Sequence, residues 1–196
     1  MQGRLSPIYR NKIQTFPFDH WRTEFKISNE IKLNILEWTI DNFKFEKNPI
    51  MQADKINEIQ FLKKKYNINI PSVTADFFME DKYFIKKKIK SYYKFFRFID
   101  MCFQNKIKMI VIPLVDNSSI KKNQKYIKQI VNDFKSCDKL FKKKKIKIAF
   151  ETDLPPHDQL RFIKSFRSNT FGINYDIGNS IGNDYDFKEE ISYYIK

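Results

Sequence analysis

The sequence predicts an α/β fold in which parallel strands alternate with helices, about six β/α units within 196 residues. Three observations carry this. Short apolar runs such as Met109–Leu114 (MIVIPL) and Ile146–Phe150 (IKIAF) recur between longer stretches of helical periodicity. Those runs are nearly continuous rather than alternating, as strands covered on both faces require. Their spacing, about 33 residues per unit, suits a strand followed by a crossover helix.

The elements follow in order. A very short first strand is expected at Met1–Leu5. Asp19 should cap a helix reaching about Lys32, with Trp21, Phe25, Ile27 and Ile31 apolar. Leu33–Ile40 (LNILEWTI) reads as the second strand and Ala53–Tyr66 as a helix. Ile68–Thr74 is the third strand, with a long aromatic helix expected over Lys82–Asn105. Met109–Leu114 is the fourth, followed by a helix over Ile120–Phe141. Ile146–Phe150 and Thr170–Tyr175 are the fifth and sixth, with His157–Phe166 helical between them and Phe187–Lys196 as a final helix. No low-complexity linker or composition break divides the chain, so one domain over 1–196 is expected.

Two architectures fit such a series. A doubly wound open sheet is complete at six strands, whereas an eight-unit barrel would lack its last two units. The glycine-rich turn expected after the first strand of a dinucleotide-binding sheet is absent, with only GRLSP in its place. That favours a (β/α)8 TIM-barrel type, incomplete, with about six β/α units present.

The formal net charge is +14, from 37 basic and 23 acidic residues, which invites a nucleic-acid reading. Arginine, the residue suited to bidentate phosphate and base recognition, occurs only at positions 4, 10, 22, 97, 161 and 167. The charge therefore reads as a solvated lysine surface, with no specific nucleic-acid partner. No apolar run approaches the roughly 18 residues of a membrane span, and MQGRLSPIYR lacks the apolar core of a signal peptide. A cytoplasmic protein without a membrane partner is expected. Cys102 and Cys137 share no motif and read as buried thiols of a reducing compartment.

Both architectures place chemistry at the carboxyl ends of strands. Those ends carry Gln2 and Arg4, Glu37, Thr74 and Asp76, Asp116 and Asn117, Glu151 and Asp153, then Asp176 and Asn179. Aspartate and asparagine there serve routinely as helix caps and turn residues, the role expected of Asp116 and Asp153. Glu151 differs, because glutamate caps poorly and it directly follows the apolar run Ile148-Ala149-Phe150. Asp176 occupies the equivalent place one strand later. Parallel strands lie about 4.8 Å apart, so carboxylates at adjacent ends can share a cation. His20 and His157 stand at helix starts and read as exposed or capping residues.

MQGRLSP at the start, NPIM at 48–51, PSVTADFFM, FETDLPP at 150–156 and NYDIGNS at 174–180 together resemble bacterial sugar phosphate isomerases/epimerases of the xylose-isomerase-like barrels. The resemblance runs along essentially the whole chain. It implies that Glu151 and Asp176 are two of four ligands to a divalent metal (Mn, Mg, Co or Zn), the others being a His and a Glu ending strands seven and eight. Those two have no counterpart before Lys196. It further implies that Glu151 is a catalytic base in isomerisation or epimerisation of a sugar or sugar phosphate through an enediolate. Gln2, Arg4, Glu37, Asp76, Asn117 and Asn179 are the implied substrate-binding residues. A chain without the second proton-transfer group is expected to be an impaired catalyst, and open barrel edges are expected to favour self-association. A sugar dehydratase of the same superfamily, or an inactive barrel fragment acting as a binding module, are the alternatives. An apurinic endonuclease of that superfamily would need histidines where Thr74, Asp76 and Pro113–Asn117 stand.

Overall fold

The computed structural model describes residues 5–12, 15–86, 89 and 92–195. Five strands form among them: β1 (Trp38–Thr39), β2 (Ser72–Thr74), β3 (Met109–Leu114), β4 (Lys147–Thr152) and β5 (Phe171–Ile173). They follow one another across the sheet in chain order, β1-β2-β3-β4-β5. β1 runs parallel to β2, and β4 to β5. This order separates the two architectures. A doubly wound sheet reverses direction at a switch point, whereas a TIM-type barrel lays each strand beside the one before it. The fold is α/β of TIM-barrel type. The expected first strand falls on Met1–Arg4, outside the described residues, and Leu5 lies in a bend.

Ten α-helices accompany these strands among the described residues: α1 (Trp21–Glu30), α2 (Ile56–Lys65), α3 (Phe77–Asp81), α4 (Tyr83–Lys86), α5 (Tyr93–Gln104), α6 (Ile127–Ser136), α7 (Asp138–Lys144), α8 (Pro156–Lys164), α9 (Ile177–Gly182) and α10 (Phe187–Tyr194). Several expectations are corrected. His20, not Asp19, holds the N-cap position of α1, and its side chain makes no capping bond. The helix expected over Ile120–Phe141 breaks at Cys137 and begins only after a 3-10 turn at Gln124–Tyr126. The aromatic helix expected over Lys82–Asn105 is interrupted, and geometry gives the reason. Tyr83 and Tyr92 are both buried and stack at 5.8 Å with an interplanar angle of 11°. In one continuous helix, residues nine apart point to opposite sides. The rings can meet only if the helix stops between them.

The chain divides into two compact units, Met1–Phe77 with Tyr93–Ile110, and Phe78–Tyr92 with Val111–Lys196. In the first, Trp38 is fully buried, with Phe16 at 5.2 Å, Trp21 at 5.8 Å and Phe25 at 6.5 Å. A buried indole N–H requires an acceptor, and Trp38 Nε1 donates to Asn48 Oδ1 at 2.9 Å. Asn48 also accepts from Ile50 N and donates to the Thr39 carbonyl, so the asparagine of NPIM ties β1 to a 3-10 turn. In the second unit Phe150 of β4 is fully buried among Phe134, Phe162, Phe166 and Phe171.

Cys102 and Cys137 are unbridged and buried, and burial pushes the Cys102 thiol well above its ordinary value. Neither should react appreciably with an aromatic disulfide reagent in the native protein, while both should react at once in denaturant. Rapid labelling of either thiol under native conditions would contradict this packing. No helix among the described residues is long and apolar enough to cross a membrane.

Candidate active site

The second unit brings Glu151, Asp176 and Asn179 together. Phe150 pairs with Ile173 in the β4–β5 register, and the Asn174 backbone N–H donates to the Phe150 carbonyl at 2.9 Å. The next register step therefore sets Glu151 opposite Asn174, and opposite residues of paired strands share a face. Glu151 lies inside β4 rather than beyond it, and is half-buried. Its Oε2 accepts from Asn174 Nδ2 and its Oε1 from Asn179 Nδ2, both at 2.9 Å.

Asp176 follows two residues after Asn174 and is the N-cap of α9. Its Oδ1 accepts from Gly178 N at 2.6 Å and from Asn179 N at 3.1 Å. A Cβ at position 178 would fall 2.9 Å from that same oxygen, so any other residue there would push the Asp176 carboxylate off this position. Asn179 thus serves both carboxylates, through its backbone to Asp176 and its side chain to Glu151. From the sequence, the cap or turn role falls to Asp116 and Asp153 and the ligand role to Asp176. Asp153 is not a cap: Pro155 holds the N-cap position of α8. Asp116 has a positive φ of 49° and opens the 3-10 turn Asp116–Ser118, a turn role as expected.

Whether these residues suit a cation is a question of donors. Among the described residues no set of three or more His, Cys, Asp or Glu side chains could hold a metal. Two carboxylates are what a magnesium-like ion needs from the protein, since it keeps several waters and takes further oxygens from substrate. A carboxylate offers about four lone-pair sites, so accepting hydrogen bonds, as Glu151 and Asp176 both do, is compatible with ligating a cation. The pair fits a hard divalent ion better than a closed zinc cage of nitrogen and sulfur. Ligating carboxylates are themselves usually fixed by hydrogen bonds, the role open to Asn174 and Asn179.

The first unit holds a separate polar group. Glu37 stands one residue ahead of β1 rather than past its end. It is exposed, accepting from the Ser72 hydroxyl at 2.6 Å and the Thr74 hydroxyl at 2.7 Å. Asp76 accepts from the Thr39 hydroxyl at 2.6 Å. Gln2 and Arg4 lie outside the described residues, and Asn117 is exposed in the 3-10 turn after β3. His157 is exposed beside Asp158, as expected. Asn174, Ser72 and Thr39 were not expected at the site, because each lies within an expected strand rather than at its end. The signal for Asn174 was present in NYDIGN, two residues before the aspartate.

The sequence matches no family model and no curated protein. Solved structures do match. A xylose isomerase-like TIM barrel protein from Mycobacterium smegmatis, crystallised in complex with magnesium, superposes with a TM-score of 0.67 at 13% identity, over 91% of this chain and 64% of its own. A xylose isomerase domain protein from Planctomyces limnophilus gives 0.61 at 11% identity, over 87% of this chain and 63% of its own. This chain thus spans under two thirds of the length of either. Strand order and both superpositions agree: the chain has the xylose-isomerase-like TIM-barrel fold.

Proposed function

We propose that this protein is a divalent-metal-dependent isomerase or epimerase acting on a sugar or sugar phosphate, with Glu151 as the catalytic base. The observation that carries the reading is Glu151 itself: a carboxylate inside the end of β4, with a different asparagine amide on each oxygen. Two fixed donors, one on each oxygen, hold the carboxylate plane in one orientation instead of letting it sample rotamers. Glu151 takes a proton from the carbon beside a substrate carbonyl and can return it. Glu151 and Asp176 would also hold the metal, which when bound polarises the carbonyl oxygen and offsets its growing negative charge. Asn179 holds Glu151 and Asp176 at a fixed separation, and Asn117 is a substrate contact proposed from its position after β3. The magnesium complex of the mycobacterial neighbour supports this choice of cation class.

The test uses the capping role of Asp176. Asparagine caps a helix as well as aspartate, so Asp176→Asn should keep α9 while losing the ligand charge. Calorimetric titration with manganese should show weak binding to the native chain, reduced about tenfold or more in Asp176→Asn with an unchanged melting temperature. Asp176→Ala should lose the same affinity and also about 1 kcal/mol of capping stability. A native chain that takes up no manganese, or an Asp176→Asn variant that binds it as tightly, would sink the metal reading.

A further inference from the structure

We infer that a cavity of about 260 Å³ sharing Asn179 with the Glu151 site is an anion subsite, in which Lys121 receives the phosphate group of a phosphorylated sugar. The inference rests on the isomerase reading for the identity of the reacting end of that sugar. Asp116, Lys121, Lys122, Asp153, Asn179 and Asn183 line the cavity. They come from the segments after β3, β4 and β5, the side of an α/β barrel on which ligands are held.

Lys121 is not an ordinary surface lysine. Its ammonium donates to Asn183 Oδ1 and to the Tyr185 hydroxyl, each at 2.9 Å, and lies 5.1 Å from the Tyr185 ring centre. The Tyr185 hydroxyl in turn donates to the Asp153 carbonyl at 2.9 Å, anchoring the assembly to the end of β4. An ammonium has three donors. Two are fixed on neutral acceptors, which leaves one donor for the cavity and no salt bridge on the ammonium among the described residues. The ordering cost that a mobile lysine would meet on binding an anion is already met here.

Two acids in the same wall, Asp116 and Asp153, oppose a bare anion. They also define the ligand more narrowly. Asp116 is exposed in that wall, and an ionised carboxylate only accepts hydrogen bonds, so it calls for a ligand that carries donors. A sugar hydroxyl supplies the donor and a phosphate supplies the anion. The cavity therefore suits a polyhydroxylated phosphate ester better than either inorganic phosphate or a neutral sugar.

The experiment is metal-free calorimetry with a ketopentose 5-phosphate, the same ketopentose unphosphorylated, a pentonic acid and inorganic phosphate. The phosphate ester should bind about tenfold or more tightly than the neutral sugar. Lys121→Met should reduce that preference to about twofold or less, and Tyr185→Phe should reduce it in part, providing a second test should Lys121→Met fail to fold. Asp116→Ala should weaken both sugars alike. Equal affinity for the two sugars, or a preference surviving Lys121→Met, would overturn the subsite. So would a pentonic acid binding as tightly as the ester, because the occupant would then be a carboxylate. Manganese uptake without a Lys121-dependent preference sinks the subsite alone. The preference without manganese uptake sinks the isomerase reading alone and leaves the anion subsite standing.

Discussion

Replacing Phe150 with alanine should destabilise the second unit by about 3–5 kcal/mol, the range for truncating a fully buried aromatic. Phe150 is 0% exposed and lies 4.9 Å from Phe134, 5.2 Å from Phe162, 5.1 Å from Phe166 and 6.2 Å from Phe171, centre to centre. These rings come from α6, α8, the segment after α8 and β5. Truncation leaves a cavity that rings on four sides cannot all move to fill. It also removes edge-to-face and stacked contacts worth roughly 0.5–1.5 kcal/mol each beyond burial. Phe187, 57% exposed at the start of α10, is the control, and its alanine variant should lie within about 0.5 kcal/mol of the native protein. Both tryptophans belong to the first unit, so unfolding of the second is best followed by far-UV dichroism in a urea titration. A Phe150→Ala midpoint shift no larger than that of Phe187→Ala would mean that this ring cluster does not hold the unit together.

What the sequence allowed and what it hid divide along physical lines. β3 forms over Met109–Leu114, as its uninterrupted apolar run predicts, because a strand covered on both faces leaves a signal at every position. Leu33–Ile40 is weaker. Only Trp38–Thr39 forms a paired strand, with a single bridge from Ile35 to Asn69, and Leu33 and Ile35 are exposed. Apolar residues there suggested more burial than tertiary packing provides. The interrupted aromatic helix is the opposite case. Its residues do enter the core, but the stacking of Tyr83 on Tyr92 sets a geometry that local periodicity cannot report.

At the site, Glu151 stood out because a charged group directly after the apolar run Ile148–Phe150 is costly without a partner. Asn179 was expected as a substrate contact, not as a donor to Glu151, and Asn174 was not expected at all. Both act through amide hydrogens directed by register and by the first turn of α9, a six-residue helix that was itself unexpected. Lys121 was hidden among many lysines. Its distinction lies only in Asn183 and Tyr185, two residues near the end of the chain that no local pattern links to it.

Glu151→Gln should have the largest effect on metal binding of any single change. The substitution keeps size and removes charge, so the proposed ligand is lost without a cavity being made. It also sets an amide N–H2 against one of the two asparagine amides now donating to Glu151, and two donors facing each other cannot bond. Manganese affinity should fall more than about 100-fold, beyond the 10- to 100-fold typical of losing a residue that only supports a ligand. Asn179→Ala belongs in that lower range. It frees Glu151 Oε1 from its donor, while the backbone N–H bond from position 179 to Asp176 survives, so α9 should persist. Asn174→Ala should lie in the same range, and the two together should approach Glu151→Gln without equalling it. Proton exchange at the carbon beside the carbonyl of a ketose phosphate, followed by deuterium incorporation, supplies the second readout. It should vanish in Glu151→Gln and persist at a reduced rate in Asn174→Ala and Asn179→Ala. An affinity in Glu151→Gln equal to that of Asn179→Ala would make Glu151 a supporting residue, and the metal would have to be held elsewhere.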